Sequence, residues 1–441
     1  MSKPLKLGLA GLGTVGVGVI KILNAHGAAM EKRCGRTIEI TGICARDKSK
    51  DRGVDISNIP WFDDVQALAI SPDIDVFVEL IGGDGDPAKS AVEAALAAGK
   101  HVVTANKALI ATHGLALAKL AEENHVALNF EAGVAGGIPI IKVLRENLAS
   151  NKVSKIYGIL NGTCNYILTV MEQQDRDFSD VLKDAQAQGY AEADPSFDIG
   201  GIDAAHKLAI MTSLAFGTQL AFDQVYIEGI EKITLEDLKA ANELGYKIKL
   251  LGVALDAGNG IEQRVHPALV PKGRPISGVD DVFNAVVAHG DFLGQIMLEG
   301  KGAGEGPTAS AVVADILDIA HGMVLPPFGL PVADLKPFEH SRMRAHEGEY
   351  YLRLLVHDKP GAVAAITQRM AEQDISLDSI VQKGQTVMSK DAPSISSDVP
   401  SLQVVLITHK TTEASIRKSL QAITDDGFIS LEPAMIRIEE T

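Results

Sequence analysis

Cysteine is scarce. The 441 residues hold three, Cys34, Cys44 and Cys164. They are too few and too scattered for a disulfide scaffold or a zinc cluster, and a reducing compartment, the cytoplasm, is the expected location. Long apolar runs are missing too. No stretch of 18 apolar residues exists, so no membrane span is expected. The apolar stretch Leu7–Leu23 follows the basic Met1–Lys6, but five glycines between Gly8 and Gly18 weaken it as a signal helix, and no A-x-A site follows. Positive charge is in the minority: 41 basic residues against 57 acidic give a net charge of −16. Such a surface does not suit nucleic-acid phosphates or an anionic membrane, and neither is expected as a partner.

What is present reads as globular: 46% apolar and 22% charged residues. The length suggests about three domains. The first third alternates strand and helix patterns. Strands are predicted at Lys6–Ala10, Thr37–Cys44, Ile74–Ile81, His101–Ala105 and Val126–Phe130. Helices are predicted to about Ala25, at Asp86–Ala98 and at Lys107–Glu123. That rhythm implies parallel strands covered by helices, an α/β Rossmann-type dinucleotide-binding domain over 1–135, completed by about 303–325. The pattern then changes. A strand at Val153–Leu160 precedes helices near Tyr166–Gln173, Ser179–Gln188 and Asp203–Ser213. Strands follow at Lys249–Leu255, Glu262–Val270, Val282–Ala288 and Gln295–Glu299. An open, mainly antiparallel sheet in an α+β catalytic and dimerisation domain is expected over 136–302. Pro307–His321 reads as a helix that packs back on the first domain. Prolines at 326, 327, 331 and 337 mark a linker, 326–348. From 349 to 441 the order is βαββαβ, a compact ferredoxin-like module with a Ser/Asp/Pro-rich loop before its third strand.

Gly11-Leu12-Gly13-Thr14-Val15-Gly16 fits G-x-G-x-x-G between a strand and a helix. The first glycine allows the tight turn, the second lets the backbone approach a pyrophosphate, and the third lets helix and strand pack closely. The phosphate meets the N–H groups of the helix start, including those of Thr14 and Val15. The second strand ends Cys44-Ala45-Arg46-Asp47-Lys48 rather than in an acid. Arg46, with Lys48 close by, suits a 2′-phosphate, so NADP is expected with NAD possible. Arg46 can also be read as a solvated loop residue.

Thr104-Ala105-Asn106-Lys107 follows a buried strand and opens a helix. Ligands sit at that end of such sheets, and a cation there opposes the helix dipole, which disfavours a merely exposed lysine. A second cluster runs from Gly189-Tyr190-Ala191-Glu192 through Asp194 and Asp198 to Asp203 and Lys207. Asp203 and Lys207 are four apart and share a helix face. Their helix is otherwise apolar, so that face is expected to line a cleft, where lysine can position an amino-acid substrate and move a proton. The bland alternative is an exposed i,i+4 ion pair. His206 points about 100° away from Lys207 and reads as structural. Cys164, in Gly162-Thr163-Cys164-Asn165, is a nucleophile or a buried filler, and no histidine is paired with it by motif.

Together these residues resemble the homoserine dehydrogenase family over roughly the first 340 residues. The resemblance rests on the glycine loop, Thr104–Lys107, Glu131-Ala132-Gly133-Val134 with Gly136-Gly137-Ile138-Pro139, Leu160–Thr163, Gly189–Pro195, Asp203–Leu208 and Gly302-Ala303-Gly304. The module carrying Asp358-Lys359-Pro360-Gly361 looks like an ACT domain. The resemblance implies reversible NAD(P)H-dependent reduction of aspartate 4-semialdehyde to homoserine, in threonine, methionine and isoleucine biosynthesis. It implies Lys207 as general acid, Asp203 orienting it, and Lys107 between nicotinamide and substrate. Glu192 would bind the substrate ammonium, with Tyr190, Gly162, Thr163 and Asp198 around it. Thr104 and Gly302 would lie against the cofactor. Glu131 with backbone groups of Val134, Gly136 and Ile138 matches a monovalent-cation site, usually sodium. Cys164 departs from the threonine common there.

Two rivals remain at this point. One is an acylating semialdehyde dehydrogenase with Cys164 as nucleophile, and the other a non-catalytic amino-acid sensor. Threonine inhibition through Asp358 and Gly361 is expected, against a dimerising module with no ligand. Deletion after about Glu339 is expected to spare catalysis. Paired ACT units and open sheets favour a homodimer or homotetramer.

Overall fold

The computed structural model describes residues 3–341, 347–383 and 401–440. Strands β1 (Leu5–Ala10), β2 (Ile38–Cys44), β3 (Val76–Glu79), β4 (His101–Thr104) and β5 (Leu128–Asn129) form a parallel sheet in the order β2-β1-β3-β4-β5. β3 and its neighbours are buried on both faces, as near-continuous apolar strands require. Helix Thr14–Cys34 is longer than expected and ends on Gly35 in the left-handed region. Helix Lys107–Glu123 starts where Asn106 accepts from the Leu109 N–H at 3.1 Å. Helix Glu305–Ala320 does return to this layer. A Cβ on Gly18 would lie 2.8 Å from the Glu305 carbonyl, so only glycine lets the two helices meet.

A second, mixed sheet holds eleven strands. They are β6 (Val153–Ile159), β7 (Tyr226–Ile227), β8 (Tyr246–Asp256), β9 (Ile261–Pro271), β10 (Phe283–Gly290), β11 (Gly294–Lys301), β12 (Glu347–His357), β13 (Leu377–Lys383), β14 (Ser401–Thr408), β15 (Thr411–Thr412) and β16 (Ala434–Ile438). The order is β11-β10-β6-β8-β9-β16-β12-β14-β13, with β7 on β9 and β15 on β12. The last four strands of that path, with helices Ala362–Ala371 and Glu413–Asp425, make the βαββαβ unit. The Ser/Asp/Pro-rich loop expected before β14 lies outside the described residues.

The unit is not a separate body. β16 runs parallel to β9, with Arg437 opposite Ala268 and Ile438 opposite Leu269. Tyr351 and Arg353 bind Asp237 at 3.1 and 2.6 Å, at the start of helix Leu235–Glu243. Glu439 pairs with the buried Arg264 at 2.6 Å. The expected linker is also held down: Lys336 pairs with Thr218, Ser341 donates to the Ile261 carbonyl at 3.0 Å, and the Phe328 ring packs tilted against Phe130. Deletion after Glu339 would therefore bare part of the edge of β9 and leave the buried Arg264 without Glu439, so it removes more than a separate regulatory module.

Candidate active site

The glycine loop leaves β1 and enters helix Thr14–Cys34. Gly11 has φ of +98°, and a Cβ there would sit 2.3 Å from the Leu80 carbonyl oxygen. A Cβ on Gly16 would lie 2.2 Å from the Gly11 oxygen. Gly13 differs: its Cβ direction meets no heavy atom within 4 Å, and no side chain caps the helix start. The first-turn N–H groups of Thr14 and Val15 thus face a cradle that fits a pyrophosphate. Arg46 and Lys48 are exposed beyond β2. Lys48 and Arg52 both lie over the Trp61 ring, at 5.8 and 5.7 Å, and Arg52 Nε donates to the Leu12 carbonyl at 3.3 Å. Arg52 gave no sequence signal, because no motif connects it to the loop.

Glu79, fully buried at the end of β3, was also missed. It accepts from Ile81 N at 2.7 Å, Gly82 N at 3.0 Å and Thr104 Oγ1 at 2.5 Å. Thr104 accepts from Asn106 N, and Asn106 Nδ2 donates to the Gly83 carbonyl. This chain of bonds ties the ends of β3 and β4 together and sets Lys107. A lone acid in an apolar strand was the available signal.

Lys107 Nζ reaches Asp203 Oδ1 at 3.1 Å, and Lys207 Nζ reaches Asp203 Oδ2 at 2.7 Å. One carboxylate holds two ammonium groups, one from each sheet's layer. Lys207 also donates to the Leu160 carbonyl at 2.7 Å and is only 8% exposed, so the pair is not a solvated face. Burial works against the Asp203 charge, but Lys207 and then Lys107 hold its carboxyl well below the usual range. Asn161 at the end of β6 donates from one amide nitrogen to Asp198 Oδ1 at 2.8 Å and Asp203 Oδ2 at 2.9 Å, while its oxygen caps Cys164 N. Sequence reading held Asn161 only as part of the Leu160–Thr163 motif and gave it no role, although an Asn at a strand-to-helix junction is a capping signal. Burial pushes the Asp198 carboxyl up against that hydrogen bond.

The rest of the predicted set is placed unevenly. Thr163 Oγ1 donates to the Tyr190 carbonyl at 2.7 Å, and Tyr190 packs edge-on against Tyr166 at 5.0 Å. A Cβ on Gly162 would meet the Val282 carbonyl at 2.9 Å. Gly302 is pinned by Asn284, whose amide would lie 2.2 Å from an added Cβ. Glu192 is exposed, and among the described residues its carboxylate makes no hydrogen bond or ion pair. His206 sits between Phe197 and Phe222, at 5.6 and 4.2 Å, as a structural residue would. Asp358 and Gly361 lie on an exposed loop, with Gly361 at φ of +88° before helix Ala362–Ala371.

Cys164 is fully buried, and its thiol donates to the Asp198 carbonyl at 3.2 Å. Burial, with Asp198 and Asp203 adding, pushes that thiol well above its ordinary range. Its burial and raised thiol support the filler reading over the nucleophile. Cys164→Ser is expected to keep turnover without any phosphate requirement; loss of activity in a steady-state assay would restore the acylating reading.

Among the described residues no group of three or more His, Cys, Asp or Glu is placed to hold a metal. The Glu131 carboxylate accepts from Ile141 N at 2.9 Å and Lys142 N at 2.8 Å. Burial, then the Asp315 charge, pushes it up to about 7. Ile138 O accepts from Ile140 N. The carbonyls of Val134 and Gly136 take no such bond among the described residues, and Ala135 and Gly136 both have positive φ. Those carbonyls fit a hard monovalent cation; the Glu131 carboxylate is committed to a helix start.

The sequence and the fold have known relatives. A family model described as "Homoserine dehydrogenase, NAD binding domain" matches residues 11–131, and one described as "Homoserine dehydrogenase" matches residues 139–317. The homoserine dehydrogenase of Neisseria gonorrhoeae is 44% identical over 443 residues, covering 99% of each chain. The crystal structure of a homoserine dehydrogenase from Thiobacillus denitrificans superposes with a TM-score of 0.91 at 42% identity, over 99% of this chain and 98% of that one. A hyperthermophilic archaeal homoserine dehydrogenase in complex with NADPH matches 73% of this chain and 99% of its own, with a TM-score of 0.63 at 26% identity.

Proposed function

The chain belongs to the homoserine dehydrogenase family, oxidoreductases acting on a CH–OH group with a nicotinamide cofactor, and from that premise we propose how its own residues share the work. The observation that carries the reading is the buried carboxylate of Asp203 bridging Lys107 and Lys207. When bound, the nicotinamide supplies a hydride to the aldehyde carbon of aspartate 4-semialdehyde or takes it back from homoserine. Lys207 gives a proton to the oxygen as negative charge builds there, and the alcohol forms with atoms and charge in balance. Asp203 keeps both lysine ammonium groups aimed. Lys107 steadies the carbonyl side of the cleft. A second reading makes Lys107 the donor, because its side chain is 32% exposed against 10% for Lys207. Substituting each lysine separately ranks them, since the donor loses more of kcat than the positioning partner.

The cofactor is proposed to be NADP, on Arg46, Lys48 and the Arg52–Trp61 stack. A guanidinium and an ammonium suit a 2′-phosphate. The carbonyls of Val134 and Gly136 are proposed to hold sodium. Glu192, on its exposed loop, is proposed to bind the substrate ammonium beside Tyr190, Thr163, Gly162 and Asp198. Gly302 is proposed to lie over the cofactor.

The C-terminal βαββαβ unit is proposed to be an ACT domain that senses threonine at the Asp358–Gly361 loop, in a homodimer or homotetramer. The family models end at residue 317, before this unit begins, which supports reading it as an added layer. Since truncation would damage β9, a point change is the better test. Asp358→Ala is expected to raise the threonine concentration for half-inhibition about tenfold, the loss of one charged hydrogen bond. An inhibition curve left unmoved would refute the assignment. Initial rates of homoserine oxidation with NADP and with NAD, with and without threonine, test the whole reading.

A further inference from the structure

The catalytic helix Ile202–Phe216 is launched from Gly201, whose φ is +86°. What supports that turn is the segment 226–230. A Cβ on Gly201 would touch the Val265 and Ile227 side chains at 3.1 and 3.3 Å. Ile230 N donates to the Ile199 carbonyl at 2.9 Å, and a Cβ on Gly229 would lie 2.3 Å from that same oxygen. Glu228 N donates to the Val265 carbonyl at 2.8 Å. The turn holding Asp198, Gly200 and Gly201 therefore moves only if 226–230 moves.

Segment 226–230 is in turn held from the C-terminal unit. Arg437 of β16, 1% exposed, donates to Glu228 Oε2 at 3.1 Å and to Glu413 Oε2 at 2.9 Å. Its guanidinium lies over the Tyr226 ring at 5.1 Å, and Tyr226 OH donates to Glu228 Oε2 at 3.0 Å. The guanidinium thus joins an acid of its own unit to an acid of the catalytic layer. Burial of an arginine is sustained only by such paired partners, which fixes the geometry at both ends.

We infer that Glu228 and Arg437 are a positioning pair through which the C-terminal unit sets the turn that aims Asp203 and Lys207. This rests on the reading that those two residues carry the chemistry. Neither Glu228 nor Arg437 touches the reacting atoms. They act through the Ile199 carbonyl and Gly201.

The test is Glu228→Gln, Arg437→Gln and the double variant in the full-length protein, with Lys207→Ala in parallel. Glu228→Gln leaves the Arg437–Glu413 pair intact, so the unit stays docked while the charge that links it to the turn is removed. The expected result is a kcat about tenfold lower in each single variant, from a catalytic carboxylate displaced by less than an ångström. The KM for the nicotinamide cofactor stays within about twofold, and the double variant is no worse than the singles, as for one shared interaction. Purely structural glue predicts instead a lower melting temperature with kcat per folded molecule unchanged, and that outcome in Glu228→Gln overturns the inference. Should Arg437→Gln fail to fold, Glu228→Gln alone decides. If Lys207→Ala keeps wild-type turnover, the underlying site reading fails; if it is inactive while Glu228→Gln is not, only the positioning pair does.

Discussion

Lys207→Ala is expected to lower kcat by about 10²–10⁴-fold, the range for losing a positioned general acid, while cofactor affinity survives. The reasoning is local. Reduction of an aldehyde places charge on oxygen, and the Lys207 ammonium is held by two short bonds, to Asp203 and the Leu160 carbonyl, both 2.7 Å. Its side chain cannot be replaced by water with the same aim, because the site is formed by buried groups. Asp203 would keep Lys107 and Asn161 as partners, so the variant does not strand an unpaired carboxylate. The glycine loop is built by Gly11, Leu80 and Gly16 and has no part in the change. Steady-state homoserine oxidation and cofactor titration by fluorescence check both halves. Turnover near wild type would end the assignment.

The second large effect is on stability. Asp237→Ala should destabilise the protein by about 3–5 kcal/mol, the cost of leaving one member of a buried ion pair alone. Asp237 is fully buried and takes three donors from the C-terminal unit: Arg353 Nε at 2.6 Å, Arg353 Nη2 at 3.1 Å and the Tyr351 hydroxyl at 3.1 Å. It also closes the capping box with Thr234 that begins helix Leu235–Glu243. Removing it loses the reciprocal half of that box, the bonds from Thr234 N and Oγ1, while the Thr234 hydroxyl can still accept from the backbone N–H of residue 237, and it leaves Arg353 uncompensated. Denaturant midpoints of wild type and variant measure it. A change below about 1 kcal/mol, typical of an exposed pair, would show that the junction with the C-terminal unit contributes little.

Much of this was legible beforehand. The glycine loop, the parallel layer and the Asp203–Lys207 spacing are local patterns, and local patterns are what a sequence displays directly. The Leu235–Glu243 helix was overlooked although Thr234 and Asp237 spell its capping box; its few apolar positions hid the period. What could not be read was pairing across distance. Nothing in Arg437 or Glu439 announces that β16 will lie against β9, because a parallel strand pairing carries no turn signal and its partner is far away in sequence. The same holds for Arg52 beside Leu12, and for Lys107 meeting Asp203 from another layer. Glu192 gives the reverse lesson: a motif named it, yet its exposed carboxylate makes no hydrogen bond or ion pair among the described residues that would mark its role.

The seam between β9 and β16 also bears on biosynthesis. On the ribosome, β9 emerges long before the strand that covers it. During that interval the backbone edge at Ala268 and Leu269, with the charged Arg264 and Glu262 further along the same strand, is open to the wrong neighbour. Charged side chains at a temporarily bare edge discourage such mispairing, so the ions that later lock the seam can serve earlier as guards of the nascent chain.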